Sequence, residues 1–104
     1  MALSKGYVVT LSKRAQKDLA ELKRSHLGDK AENILKLLSE DPFRNPPPFE
    51  KLSGEMKGWY SRRLNSTHRV LYIVEPSEDP KYEGMVSVAR MRTHYSGYIP
   101  SFFM

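Results

Sequence analysis

The chain of 104 residues has no cysteine. That excludes disulfide frameworks, thiolate nucleophiles and Cys-ligated metal sites. The three histidines, His26, His68 and His94, show no H-x-x-x-H spacing, so no metal site is expected. Phosphate-binding glycine loops, dinucleotide fingerprints and a G-x-S-x-G nucleophile turn are also missing, and no cofactor is expected. Long apolar runs are lacking too. The longest, residues 70–74, is far too short to span a bilayer, and the first residues hold no apolar stretch of signal-peptide type. A cytoplasmic protein without membrane contact is therefore expected. The last absence concerns one sign of charge. Residues 57–74 contain Lys57, Arg62, Arg63 and Arg69 but no acid, and residues 84–104 contain Arg90, Arg92 and His94 but no acid.

What is present describes one small domain, residues 1–104. Its 39% hydrophobic and 11% aromatic content suffices for one modest core. The formal net charge of +5 favours an anionic partner, and the acid-free stretches place the positive field in the second half of the chain.

Residues 7–11 (YVVTL) read as a strand, rich in β-branched and aromatic side chains. Ser12 is a plausible N-cap, and Ala15, Leu19 and Leu22 follow at helical spacing. Gly28 and Asp29 punctuate this stretch. A second helix over about 30–39 would bury Ala31, Ile34, Leu35 and Leu38. Residues 41–48 (DPFRNPPP) form a connector, since proline removes backbone donors. Residues 59–65 and 68–74 flank Asn-Ser-Thr and read as an antiparallel hairpin; residues 85–95 read as a long last strand. The expected fold is α+β, with two N-terminal helices on a small antiparallel sheet in the order β-α-α-β-β-β. Residues 96–104 form a C-terminal extension.

Candidate chemistry lies on these strands. Arg62, Arg63 and Arg69 on the hairpin and Arg90, Arg92 and His94 on the last strand could converge, because paired strands lie about 5 Å apart. With Trp59, Tyr60, Tyr72 and Tyr95 nearby, this pattern suits single-stranded RNA, whose phosphates pair with guanidinium groups and whose bases stack on rings. The competing reading is a solvated basic face with its aromatics in the core. His68 should point away from Arg69 by strand alternation and play a structural part, and His26 should lie on the surface.

The run GWYSRRLNSTHRVLYIV, residues 58–74, resembles the central signature of YoeB/Txe toxins in the RelE/ParE superfamily. FEKL, residues 49–52, lies where that family carries a Glu followed two residues later by Leu, and MRTHY, residues 91–95, resembles its closing Arg-x-His-Tyr. The resemblance implies a RelE-like fold and an endoribonuclease that cleaves messenger RNA in the ribosomal A site. It implies a YefM/Phd-type antitoxin partner and a homodimer. It places the catalytic Glu on Glu50, the phosphate-binding Arg on Arg69 and a catalytic pair on His94 and Tyr95, with Arg63, and Arg62 beside it, contacting substrate. Family members tend to end at the His-Tyr pair, whereas this chain continues with SGYIPSFFM, expected to turn from the groove and pack on the domain or a partner subunit. Two rivals remain: a non-enzymatic toxin of the same fold, such as a ParE-type gyrase poison, and a plain RNA- or protein-binding module.

Overall fold

The computed structural model describes residues 5–93. His94, Tyr95 and the extension 96–104 lie outside the described residues.

Strand β1 (Tyr7–Leu11) leads through Ser12 into helix α1 (Lys13–Lys23). Ser12 caps the helix as expected: its hydroxyl oxygen accepts from the Ala15 amide at 3.0 Å and donates to the Ala89 carbonyl at 2.7 Å. Ala15 and Leu22 are buried. Helix α2 (Gly28–Glu40) starts two residues before the expected position, with Gly28 inside it rather than ahead of it. A Cβ on Gly28 would lie 2.9 Å from the Lys23 Cα, so the missing side chain is what admits the close approach of the two helices. Ala31, Ile34 and Leu38 face the core.

The chain then crosses to the far edge of the sheet and returns strand by strand. β2 (Phe49–Lys51), a short 3₁₀ helix (Gly54–Met56), β3 (Trp59–Arg63), β4 (Arg69–Glu75) and β5 (Gly84–Thr93) follow. Gly58 enters β3 at φ +97°, a conformation that L side chains rarely adopt. Asn65 builds the β3–β4 turn, its Oδ1 accepting from the Thr67 and His68 amides at 2.9 and 2.6 Å. The strand order is β1-β5-β4-β3-β2. β2 through β5 run antiparallel, while β5 comes back beside β1 and runs parallel to it. The two-helix α+β architecture is the expected one. Its sheet is mixed and has one strand more than expected, because β2, only three residues long and directly after a proline triplet, is too short to show alternation.

The two faces of the sheet differ. On the helix side Leu64, Val70, Tyr72, Val86, Val88 and Met91 pack with the buried side of α1 and α2. On the other side a smaller cluster of Leu52, Met56 and Leu71 lies beneath Trp59. Strand alternation thus sends Val70 and Tyr72 to the helices and leaves Arg69 and Leu71 on the helix-free face. No helix among the described residues is long and apolar enough to cross a membrane.

Candidate active site

At one corner of the helix-free face, Arg69 at the start of β4 meets Glu50 in the middle of β2. Arg69 Nη2 lies 2.9 Å from Glu50 Oε1, and Arg69 Nε donates to Ser61 Oγ at 2.6 Å. The strand register explains the meeting: Glu50 pairs across to Ser61 on β3, and Arg63, two residues on, pairs with Arg69. Ser61 is fully buried and the Arg69 side chain is 16% exposed, whereas the Glu50 side chain is 59% exposed. The arginine is therefore held from behind, and the carboxylate stands at the mouth. Pro48, Phe49, Glu50, Arg63 and Arg69 line a cleft of about 210 Å³. Two arginines directly opposite on neighbouring strands repel one another, and only Arg69 has a carboxylate partner among the described residues. Such a corner is suited to an anion. Ser61 went without a role in the sequence, although its place in the alternating register with Glu50 and Arg63 was the signal for it.

Arg62 does not join this set, contrary to the expectation of a substrate contact. It points to the helix side and is only 2% exposed. Its Nη1 donates to the Pro47 carbonyl at 2.7 Å, and its Nη2 donates to the carbonyls of Pro42 at 3.0 Å and Arg44 at 2.7 Å. Its guanidinium carbon sits 4.9 Å from the centre of the Phe49 ring. Alternation along β3 makes this unavoidable: Ser61 and Arg63 face the cleft, so Arg62 faces away.

The basic groups of β5 are also engaged elsewhere. Arg90 Nε pairs with Asp18 of α1 at 2.8 Å, and Arg92 pairs with Glu21. Asp18 Oδ2 also accepts from the Met91 and Arg92 amides at 3.0 and 3.2 Å, capping the edge of β5 beyond the end of β1. Burial pushes the Asp18 carboxyl up, but the bonds from Arg90 and from these amides outweigh it and hold the group below its ordinary value. Of the expected rings within the described residues, Tyr72 is in the core, and Tyr60 and Trp59 are half-buried against the two apolar clusters. Tyr72 is fully buried, stacks on Tyr60 at 5.5 Å, and donates its hydroxyl to the Pro42 carbonyl at 2.8 Å. Burial raises its phenol above the usual range, with the Arg62 charge opposing. The broad basic, aromatic face suggested by composition thus narrows to the corner around Arg63 and Arg69. His68 is half-buried in the β3–β4 turn, where its carbonyl accepts from the Leu64 and Asn65 amides, and His26 is exposed between the helices. Among the described residues no group of His, Asp or Glu could hold a metal ion.

Two N-terminal helices on a mixed five-stranded sheet form a fold represented among solved structures. The YoeB/ParE toxin from Agrobacterium tumefaciens superimposes with a TM-score of 0.72 at 24% identity, covering 85% of this chain and 99% of that one. YoeB from Staphylococcus aureus superimposes in its complex with YefM (TM-score 0.65, 26% identity, 86% and 98% covered) and as a dimer (0.68, 25%, 86% and 98%). Residues 12–95 match the family described as YoeB-like toxin of bacterial type II toxin-antitoxin system, and the chain belongs to that family. Toxin YoeB of Streptomyces coelicolor is 33% identical over 58 residues, 56% of this chain and 61% of that relative. The matched stretch thus spans less than two thirds of that relative's length.

Proposed function

We propose that this toxin is a ribosome-dependent endoribonuclease, cleaving messenger RNA in the ribosomal A site by attack of the RNA's own 2′-hydroxyl. The observation that carries the reading is the contact of Glu50 with Arg69 beside Arg63. A carboxylate and two guanidinium groups at the mouth of one small cleft supply a base and a place for phosphate charge. Glu50 takes the proton from the 2′-hydroxyl. The freed oxygen forms a bond to phosphorus, the bond to the 5′-oxygen breaks, and a 2′,3′-cyclic phosphate remains. Arg69, held by Ser61, stabilises the charge that develops on the phosphorane. Arg63 contacts the neighbouring backbone. From the family resemblance, His94 protonates the departing 5′-oxygen and Tyr95 holds the phosphate or stacks on a base.

The partners follow from the same reading. The partner is a YefM/Phd-type antitoxin, a reading supported by the occurrence of the Staphylococcus aureus toxin in a complex with YefM; an acidic segment of it covers the cleft opposite Arg63 and Arg69, as their positive charge favours. The toxin is a homodimer, as that relative also occurs. Its target places it in the cytoplasm.

The test is expression of the chain in bacteria, with and without its antitoxin, and primer extension on translated messages. Growth arrest with new 5′ ends inside translated codons supports the reading. Arrest with intact messages and damaged DNA would assign the chain to the gyrase poisons instead.

A further inference from the structure

We propose that Arg62 is a positioning residue that sets the register of β2, and so the place of Glu50 against Arg69, by holding the connector 41–48. The proposal rests on the reading of Glu50 and Arg69 as the reacting pair.

Glu50 stands on a weak element. β2 has three residues and, among the described residues, forms the edge of the sheet and pairs only with β3. A slip of one residue would turn Glu50 to the helix side and bring Phe49 or Lys51 to the cleft. Little in the connector itself prevents the slip. Residues 46, 47 and 48 are prolines that donate no backbone bond, and the connector's own bonds, from the Arg44 amide to the Asp41 carbonyl and from the Phe43 amide to Asp41 Oδ1, lie at the end far from β2. The connector's carbonyls instead converge on one group. The Arg62 guanidinium takes the Pro42, Arg44 and Pro47 carbonyls, covering both ends of the connector, and the last of them lies three residues before Glu50. Arg62 pairs in register with Phe49 and also lies against its ring. Tyr72 secures the Pro42 carbonyl from the neighbouring strand.

The chemistry requires arginine here. A planar fork with five donors can meet three carbonyls in fixed directions, whereas a lysine ammonium is a point charge without that geometry. Arg62 makes no ion pair among the described residues, so its buried charge is answered by these carbonyls and the Phe49 ring. A charge kept out of water in this way, and out of reach of RNA, serves to fix the connector.

The experiment compares the full-length toxin with Arg62→Lys, Glu50→Gln and the double variant in single-turnover cleavage on programmed ribosomes. Arg62→Lys should cleave roughly 10- to 100-fold more slowly, as displaced catalytic groups do, with ribosome affinity within about twofold. In the Glu50→Gln background the same change should alter the rate by less than about twofold, since no carboxylate is left to misplace. Unchanged cleavage by Arg62→Lys, a loss that is additive with Glu50→Gln, or a loss that appears as weaker ribosome binding would each overturn the proposal. If Arg62→Lys does not fold, Tyr72→Phe decides. It removes one anchor of the same connector and should slow cleavage roughly 3- to 10-fold, while speeding exchange of the Leu52 amide, which bonds to Trp59 O, and leaving the Ala31 amide of α2 unaffected. Equal exchange at Leu52 in Tyr72→Phe and parent would also overturn it. Full cleavage by Glu50→Gln would remove Glu50 from the base role, and the exchange at Leu52 would still report on the register.

Discussion

Of the arginine-carboxylate pairs that tie distant parts of the chain together, Arg90–Asp18 and Arg69–Glu50 are built differently. In Arg90–Asp18 the side chains are 15% and 7% exposed, and the carboxylate also takes two backbone amides. In Arg69–Glu50 the arginine is 16% exposed and the carboxylate 59%, with no amide among its partners in the described residues. The first pair joins α1 to the sheet and satisfies a strand edge, so each group has its partners inside the protein. The second fastens its arginine from behind and leaves its acid at the surface, where a substrate can replace the internal contact. Exposed ion pairs add little stability, while breaking a buried one leaves an uncompensated charge. The first arrangement is that of a structural tie, and the second is the one the proposed RNA chemistry requires.

The contrast can be broken from either side. The largest effect is expected at the open pair: Arg69→Ala should lower cleavage of translated RNA by ~10²–10⁴, while the thermal midpoint moves little. A large fall in the midpoint would make Arg69 a structural residue. At the closed pair the effects exchange places. Asp18→Ala should cost about 3–5 kcal/mol of stability, the usual result of removing one partner of a buried pair, measured by urea unfolding; a cost below about 1 kcal/mol would contradict the assignment. The acid dependence of stability sharpens the same point. The Asp18 carboxyl is held below its ordinary value in the fold, so its contribution is complete above the unfolded pKa of about 3.9 and is lost as pH falls through the lower folded value. Asp18→Asn should flatten the fall in unfolding free energy below about pH 4, and an unchanged slope would exclude Asp18 as its source. Behind the open pair, Ser61→Ala deletes one hydrogen bond of about 1 kcal/mol, which should slow cleavage roughly fivefold. The smallest effect is expected from Arg63→Ala, which should slow antitoxin association at low salt and lose that difference as screening rises. A difference independent of salt would show that Arg63 acts by shape rather than charge.

The helices and long strands were legible because their signals are local. Ser12 caps α1 by its own side chain, and Ala15, Leu22, Ala31, Ile34 and Leu38 recur with the helical period. Gly28 misled for a tertiary reason: it stands inside α2 because Lys23 of the other helix leaves no room for a Cβ. β2 escaped because three residues carry no period, and the parallel pairing of β1 with β5 at the other edge depends on how the whole sheet closes. At the site, Glu50, Arg63 and Arg69 were recognisable from the family motifs, and the structure brings them to one cleft. Arg62 was misassigned from the same motif. A run of two arginines in a strand must place them on opposite faces, and only the carbonyls of residues 42, 44 and 47 show what the inward one does. The ionic partners of Arg90 and Arg92 lie more than 70 residues away in sequence, beyond any local pattern.

The central claim is that the open pair performs RNA chemistry. The most direct measurement is single-turnover cleavage of a radiolabelled message on programmed ribosomes, with the ends of the products identified. The account predicts a 2′,3′-cyclic phosphate on the upstream product with the parent chain, and cleavage reduced by ~10²–10⁴ with Arg69→Ala at unchanged ribosome binding. Cleavage by Arg69→Ala at the parent rate, or a 3′-hydroxyl on the upstream product, would contradict it.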